Sequence, residues 1–539
     1  MHALVIDPKA PGSFWDWETI RLFGFHAMAP NLGLMTVAAW FDESVQVTYV
    51  DENIRPVTDD EWAGCDFVFT GGMLQRQERI LELIDEAHQR GKRVIVGGAD
   101  PTAQPQIYRD ADAVVAGDLD DCDEILPGLN QTTRADITCS PVPRYDLIDH
   151  KRYAMGVMQW SRGCPQGCTF CYSCVKDGLE PRWKTPPQIL AELEAIYDSG
   201  HRGEVMVVDD CIDAHPKRLQ QALDAVCEWV KEYGFPFRFS CQASTRLGDN
   251  PELLAKMRAC GFHAAFLGIE TPDRDTLREA HKRVNVYGDL QKRVRTIHEA
   301  GLVTPAGFIL GMDGEPNDAA ELIVDFAEEA GIPVAMLGLL AVLPGTPLAH
   351  QLHDMGRLYD SQLDPVGPDT TYELRVRDIG GKIPDQTTGG GLNFTTTRDR
   401  RDILSGHVDA YRRLYSPDAY CERVWRQLRE LDLRPVHRYG FWQQLKNDIG
   451  VAKLWWVLRK IPGMRLPMWK LIGRAIRKGG FRYWQPALER AITDLVAYPR
   501  FRNSVERLQA GLMTRLEREQ ESGIPTKWEP SITEVSRER

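Results

Sequence analysis

Eleven short apolar runs, each followed by a turn and then a helix-length segment, constrain this chain more than any other feature. Five fall within residues 1–140: Ala3–Ile6, Val45–Val50, Phe67–Thr70, Val94–Val96 and Ala113–Ala116, with helical stretches such as Arg76–Arg90 between them. Strands that alternate with helices build parallel sheets covered on both faces. An α/β, doubly wound (Rossmann-like) domain is therefore expected over 1–140. Six more runs recur at longer spacing: Gly156–Trp160, Glu204–Val208, Phe237–Cys241, Ala264–Ile269, Pro305–Leu310 and Ala335–Val342. They predict a partial (β/α)6 TIM-type barrel over 154–350, whose chemistry belongs where the strands end. A proline-bearing connector places the linker at 141–153. A mostly helical C-terminal domain is expected over 351–516 and a charged tail over 517–539.

Charge and composition narrow the function. The 539-residue chain has a net charge of -12, whereas a general nucleic-acid binder carries a basic footprint. The N-terminus lacks a basic start followed by an apolar run, and no stretch of 18 apolar residues occurs. A cytoplasmic protein is expected. Three of the 12 cysteines sit in one tight cluster, which without an export signal points to metal binding.

That cluster is Ser161-Arg162-Gly163-Cys164-Pro165-Gln166-Gly167-Cys168-Thr169-Phe170-Cys171, at the end of the sixth run. Three thiolates in one loop hold three irons of a cubane [4Fe–4S] cluster and leave the fourth open. The alternative is a zinc knuckle with Cys174 as fourth ligand, although zinc sites usually split into two cysteine pairs. Polar residues recur at later strand ends: Asp209 and Asp210, Gln242 and Ser244, then Gly268 and Glu270. Each has a plainer reading, as a helix cap for the aspartates and as loop solvation for Gln242 and Ser244. A buried Glu270 needs a partner. Leu310 ends the next run, at the working rim or in bland packing.

The Cys-x3-Cys-x2-Cys loop after a strand that opens a βα barrel resembles the radical S-adenosylmethionine (SAM) superfamily. Further stretches resemble its cobalamin-binding-domain branch, which includes the hopanoid 2-methyltransferases. They are Pro30–Leu34, Asp51–Pro56, Gly97–Thr102, Val207–Asp210, Gly268–Asp273 and Leu343–Pro347, with Gly391–Phe394 and Leu414–Tyr420 downstream. The resemblance implies a [4Fe–4S] cluster on Cys164, Cys168 and Cys171, with SAM chelating the open iron. Phe170 would pack near the adenine, and Asp209 and Asp210 would meet the amino group. Gln242 and Ser244 would reach the ribose and carboxylate. Gly268 would let SAM lie close, Glu270 would bond the ribose, and Leu310 would complete the SAM site.

Cobalamin is implied in the N-terminal domain by the same resemblance. Its contacts would come from Asn31, Leu32, Asp51 and Glu52, from the glycine pairs Gly71-Gly72 and Gly97-Gly98, and from Thr102 and Gly117. The Asp-x-His-x-x-Gly signature is missing, so no protein histidine would bind cobalt. Relatives carry Gly-Glu-x-Glu where this chain has Gly117-Asp118-Leu119-Asp120. A plain sheet with an empty cleft is the alternative.

The implied reaction is methylation of an unactivated carbon through a 5′-deoxyadenosyl radical and methylcobalamin. Ring contraction, cyclisation or rearrangement without methyl transfer is a second outcome, and a non-catalytic metal-stabilised binding protein a third. The implied partners are an external electron donor and a small-molecule substrate: a lipid, a pigment precursor or a natural-product scaffold. Gly380-Gly381 to Gly389-Gly390-Gly391 reads as a lid. Residues 449–488 carry nine Lys and Arg and no Asp or Glu, so removing +9 from the net -12 leaves -21 on the rest. Aromatics are interleaved with them. They suit a peripheral membrane contact, or else pair with the acidic barrel.

Overall fold

The computed structural model describes residues 1–10, 18–41, 43–117, 137–358, 391–434, 441–521 and 523–528. Two parallel sheets organise them. The first joins β1 (His2–Asp7), β2 (Gln46–Asp51), β3 (Phe67–Gly71), β4 (Arg93–Gly97) and β5 (Ala113–Val115) in the order β2-β1-β3-β4-β5. β1 is buried along five of its six residues because helices cover both faces. Leu4, Val68 and Val94 pack on one side, and Ala3, Phe69 and Ile95 on the other.

The second sheet begins with β6 (Gly156–Met158). A two-residue ribbon, β7 (Ser161–Arg162) with β8 (Arg182–Trp183), frames the cysteine loop. Then come β9 (Gly203–Val207), β10 (Phe237–Ala243), β11 (Phe262–Glu270), β12 (Ala306–Leu310) and β13 (Ala335–Leu339), parallel in the order β6-β9-β10-β11-β12-β13. Along β10 the residues alternate, with Phe237, Phe239, Cys241 and Ala243 buried against the outer helices. Each crossover helix starts on a favourable signal, such as Pro186, Pro216 and Pro251 in their first turns. Cys227 and Cys260 form a disulfide between two of these helices.

All eleven apolar runs become strands, with shifted ends. The last run stops at Leu339, not Val342, because the chain there turns to meet residues 391–394. Asn393 accepts from the Val342 N–H at 2.8 Å and donates back to its carbonyl at 3.1 Å. Gly391, at φ +113°, lies where a Cβ would stand 2.7 Å from the Leu339 carbonyl oxygen. One apolar core runs from the barrel into the C-terminal helices, where Tyr415 stacks on Phe501 at 4.3 Å.

Two expectations change. Residues 141–153 are held against the N-terminal domain: Tyr153 donates to Asp51 Oδ2 at 2.9 Å and bridges to Ala27. The first part of the expected tail is packed. The helix Tyr498–Glu521 carries Glu519 onto Arg400 in a buried ion pair at 2.7 Å, and the Trp528 N–H reaches the Thr396 carbonyl at 2.7 Å. The expected lid at 380–390 lies outside the described residues. Among the described residues no helix is long and apolar enough to cross a membrane.

Candidate active site

The cysteine loop starts where β6 ends and is pinned from beneath. Asp209, fully buried just beyond β9, accepts from the Trp160 N–H at 2.7 Å and the Ser161 hydroxyl at 2.6 Å. Asp210 accepts from the Gly163 N–H at 3.1 Å. Burial pushes the Asp209 carboxyl up to about 7, against the opposing pull of these donors. Gly163, at φ +98°, backs onto the turn 177–180, whose carbonyls crowd its Cβ position at 3.0–3.2 Å. The Cys164 N–H donates to the Gly178 carbonyl at 3.1 Å. The far end is tied by Thr169, whose N–H reaches Ala280 and whose carbonyl accepts from Leu348.

The loop gathers more sulfur than its motif shows. Cys174 interacts with both Cys164 and Cys171, and Cys211 approaches Cys164 from the β9 side. Burial pushes the Cys168 thiol up to about 12, while Lys282 opposes the shift. Crowded, desolvated thiols of this kind ionise outright once a cation binds them. Among the described residues no three His, Cys, Asp or Glu side chains converge on one ion. A cubane needs no such convergence, because each cysteine holds its own iron. This donor set fits a cluster.

Beside the loop lies a cavity of about 310 Å3. Phe170, Cys171 and Tyr172 line one side, and Ile309, Leu339 and Leu343 the other. Leu310, expected at the cosubstrate, is buried on the outer face instead. The strand period of two gives its place to Ile309.

Four further expected contacts are already engaged or filled within the chain. Asp209 has both carboxylate oxygens on the loop. Ser244 donates its hydroxyl to Asp213 at 2.6 Å and its N–H at 2.7 Å. The space above Gly268 is filled by the Glu270–Lys282 ion pair at 2.8 Å, since a Cβ there would stand 2.6 Å from Glu270 Oε1 and 2.9 Å from Lys282 Nζ. Lys282 is held above its ordinary value: burial lowers it, but Glu270 and Cys168 outweigh that. Glu270 adopts φ +65° at an irregularity in the β11–β12 register. The Gln242 side chain, half-buried, has no hydrogen bond among the described residues.

Most expected N-terminal contacts also have internal partners. Asn31 caps the helix Leu32–Trp40 and donates to Asp7 at 3.1 Å. Asp51 holds Asn53 and Tyr153, and Glu52 pairs with Arg79 at 2.7 Å. Thr102 bridges the Gly98 carbonyl and the Gly117 N–H. The glycine pairs serve each other: a Cβ on Gly71 would stand 1.9 Å from the Gly97 carbonyl oxygen, and one on Gly98 2.9 Å from the Gly72 nitrogen. Their missing side chains let two turns close together. Leu32 is half-buried, and Asp118-Leu119-Asp120 lies outside the described residues. At this sheet edge the Asp7 carboxylate is ion-paired with Arg76 and accepts from Asn31, while the buried Tyr49 hydroxyl has no hydrogen-bond partner. Tyr172 of the cysteine loop donates to the Ala99 carbonyl at 2.7 Å, so loop and sheet edge meet. Such an edge, with a buried hydroxyl unsatisfied, fits a large polar cofactor.

The model for the Radical SAM superfamily matches residues 158–327, and a domain of unknown function, DUF4070, matches 346–511. An uncharacterized methyltransferase of Synechocystis is 37% identical over 440 residues, 79% of this chain and 78% of that protein. The hopanoid C-2 methylase of Rhodopseudomonas palustris is 36% identical over 428 residues, 77% and 75% of the two chains. The chain belongs to the radical SAM superfamily, in the branch of these methyltransferases. The radical SAM methyltransferase TsrM of Kitasatospora setae, solved with cobalamin and a [4Fe–4S] cluster, shares the fold at a TM-score of 0.56 and 15% identity. That match covers 84% of this chain and 98% of TsrM.

Sequence reasoning missed Lys282, Asp213 and Cys211 in this radical SAM site. Asp213 and Cys211 follow Asp209 within four residues, so distance from the motif was no obstacle. Lys282 lies 12 residues past Glu270, and only the demand for a buried partner to Glu270 signalled it.

Proposed function

We propose that the chain is a cobalamin-dependent radical SAM C-methyltransferase acting on an unactivated carbon of an apolar substrate. The observation that carries this is the cysteine loop, pinned by Asp209 and Asp210 and opening on the cavity that Phe170 and Ile309 share. When bound, the cluster supplies the electron that cleaves SAM, and cobalamin carries the methyl group. Cys164, Cys168 and Cys171 hold the cluster. Gln242 offers SAM an uncommitted amide, and half-buried Asp210 an acidic side chain at the cysteine loop. Phe170, Ile309 and Leu339 exclude water from the cavity. The N-terminal sheet edge, with Tyr49 and the exposed backbone of Gly98, holds cobalamin without a histidine.

The similarity to the hopanoid C-2 methylase favours a polycyclic lipid over the pigment precursor or natural-product scaffold. The reaction also requires an external electron donor. Methyl transfer is favoured over ring contraction, cyclisation or rearrangement because both of the most identical relatives described above are methyltransferases.

The test is anaerobic reconstitution with iron, sulfide and cobalamin, followed by measurement of cobalamin retention, 5′-deoxyadenosine and S-adenosylhomocysteine. All three are expected. Cys168→Ala should abolish 5′-deoxyadenosine while cobalamin retention stays. Wild-type 5′-deoxyadenosine in that variant overturns the cluster assignment, and a product of unchanged carbon count overturns methylation.

A further inference from the structure

Residues 441–493 form two helices, Phe441–Leu458 and Arg465–Thr493, packed by their inner faces. Leu454, Met468, Leu471 and Ala475 are buried there. Their outer faces are uncovered and carry large apolar side chains. In the first helix Ile449 and Trp456 are 49% and 48% exposed, with Lys453 between them at helical spacing. In the second, Leu466 and Trp469 are 64% and 52% exposed, and Ile476 continues the same face two turns on. Gly473, on that face, has no atom within 4 Å of its Cβ position. The Trp455 and Trp469 rings meet at 6.1 Å, which sets the two faces side by side. The second helix kinks at Gly480, φ +55°, and beyond it Phe481 is fully exposed with Trp484 close behind. Seven of the sixteen large apolar side chains exposed among the described residues fall in this one stretch.

Basic residues frame this apolar surface. Lys460 stands 3.1 Å over the Trp456 ring, and Arg459 flanks Trp455. The expectation that these charges pair with the acidic barrel fails for most of them. Arg474 pairs with Glu422 and Lys478 reaches backbone carbonyls, but six others, all exposed, meet no carboxylate among the described residues: Lys453, Arg459, Lys460, Arg465, Lys470 and Arg477.

We propose that the outer faces of these two helices, with Phe481 at the kink, dock the enzyme on an anionic lipid bilayer. Tryptophan and tyrosine flanked by Lys and Arg favour the headgroup boundary, where apolar rings sit in the acyl region and cations meet phosphate. Residues 449–488 of this surface carry no Asp or Glu, with only Asp448 and Glu489 at their margins, on a chain otherwise at -21. Nucleic acid would satisfy the cations but leave Ile449, Leu466 and Ile476 unused. A second copy across a twofold axis would bring like charges together. The inference stands independently of the reaction.

The test uses the full chain with its cluster reconstituted, in flotation with vesicles of phosphatidylcholine alone or mixed equally with phosphatidylglycerol. The protein should float with the anionic vesicles, less so at high salt, with tryptophan emission shifted to the blue. Lys470→Gln with Arg477→Gln should weaken partitioning roughly 25-fold, about fivefold per cation lost. Trp469→Ser with Phe481→Ser should lose binding while the circular dichroism spectrum stays unchanged. Lys217→Gln with Arg218→Gln, exposed on a barrel helix, should match wild type. Three results would overturn the proposal: no flotation with anionic vesicles, flotation insensitive to both patch variants, or concentration-dependent self-association that Trp469→Ser abolishes.

Discussion

Asp209 offers the sharpest perturbation, because sequence and structure give it different jobs. In the structure its two oxygens hold the Trp160 N–H and the Ser161 hydroxyl beneath the cysteine loop. Asp209→Ala strands both buried donors at about 1–3 kcal/mol each, or about 4 kcal/mol together. For a domain of the barrel's size that lowers the melting temperature by roughly 8–16 °C. Asp209→Asn keeps an acceptor for Trp160 and an amide that Ser161 can accept from, so its cost at pH 6 stays below about 1 kcal/mol. The pH profile separates the variants further. Wild-type Asp209 titrates near 7 in the folded chain against an ordinary value of 3.8. Between those values the folded state alone holds the proton, so this group's contribution is full below 3.8 and is lost as pH rises through 7. The loss totals about 4 kcal/mol at 1.36 kcal/mol per pH unit. Asn cannot titrate, so Asp209→Asn should gain on wild type steadily from pH 4 to 7 and hold that gain above. The assays are differential scanning calorimetry across pH and iron content after anaerobic reconstitution. Asp209→Ala should lose iron, and Asp209→Asn should keep it. If Asp209→Ala keeps its iron and its melting temperature, the pinning argument is wrong. If Asp209→Asn keeps iron but no longer binds SAM, the carboxylate serves the ammonium group.

Four further outcomes follow from the same geometry. His150 is buried with neither ring nitrogen hydrogen-bonded, and burial lowers it to about 4 from 6.5. Its contribution is present above 6.5 and falls by about 3 kcal/mol as pH drops to 4, opposite in sign to Asp209. His150→Phe should therefore unmask the alkaline loss, read from denaturation midpoints against pH. Lys282→Met leaves Glu270 buried and unpaired and should cost about 3–5 kcal/mol. Adding Glu270→Gln should recover most of that, in a double-mutant cycle by chemical denaturation. Gly71→Ala should strain the contact with the Gly97 carbonyl and cost about 1–3 kcal/mol, with loss of cobalamin retention. Gly473→Ala, in open space on a helix, should instead stabilise by up to about 1 kcal/mol in thermal melts.

The strands were legible because apolar runs of strand length with turn residues after them have few other solutions, and the cysteine loop because its spacing is dense and specific. What failed was facing. A residue's place near a strand end does not say which side of the pleat it takes. Along β9 Val205 and Val207 are buried, and the same parity carried one step further buries Asp209 and leaves Asp210 at the surface of the site. Along β12 it buries Leu310 and opens Ile309. That parity is legible in the sequence. The partners of Gly268 and Gly71 were not in the sequence, because the atoms that fill their Cβ positions come from Lys282 and from another turn.

These misplacements share a physical cause. A strand end in an α/β sheet must anchor its own loop before it can offer anything to a ligand, and anchoring needs the same residue types that binding does. Asp209, Ser244 and Thr102 each stand where a ligand contact is expected, and each is spent on a backbone or side-chain donor or acceptor of the fold. Two side chains at the strand ends stay uncommitted: the half-buried Gln242 amide, with no hydrogen bond among the described residues, and the buried Tyr49 hydroxyl. A buried polar atom without a partner costs about 1–3 kcal/mol, so its persistence points to a ligand that satisfies it. By that criterion Gln242 and Tyr49 are better placed to meet a cofactor than Asp209, Ser244 and Thr102, whose polar atoms the fold already uses.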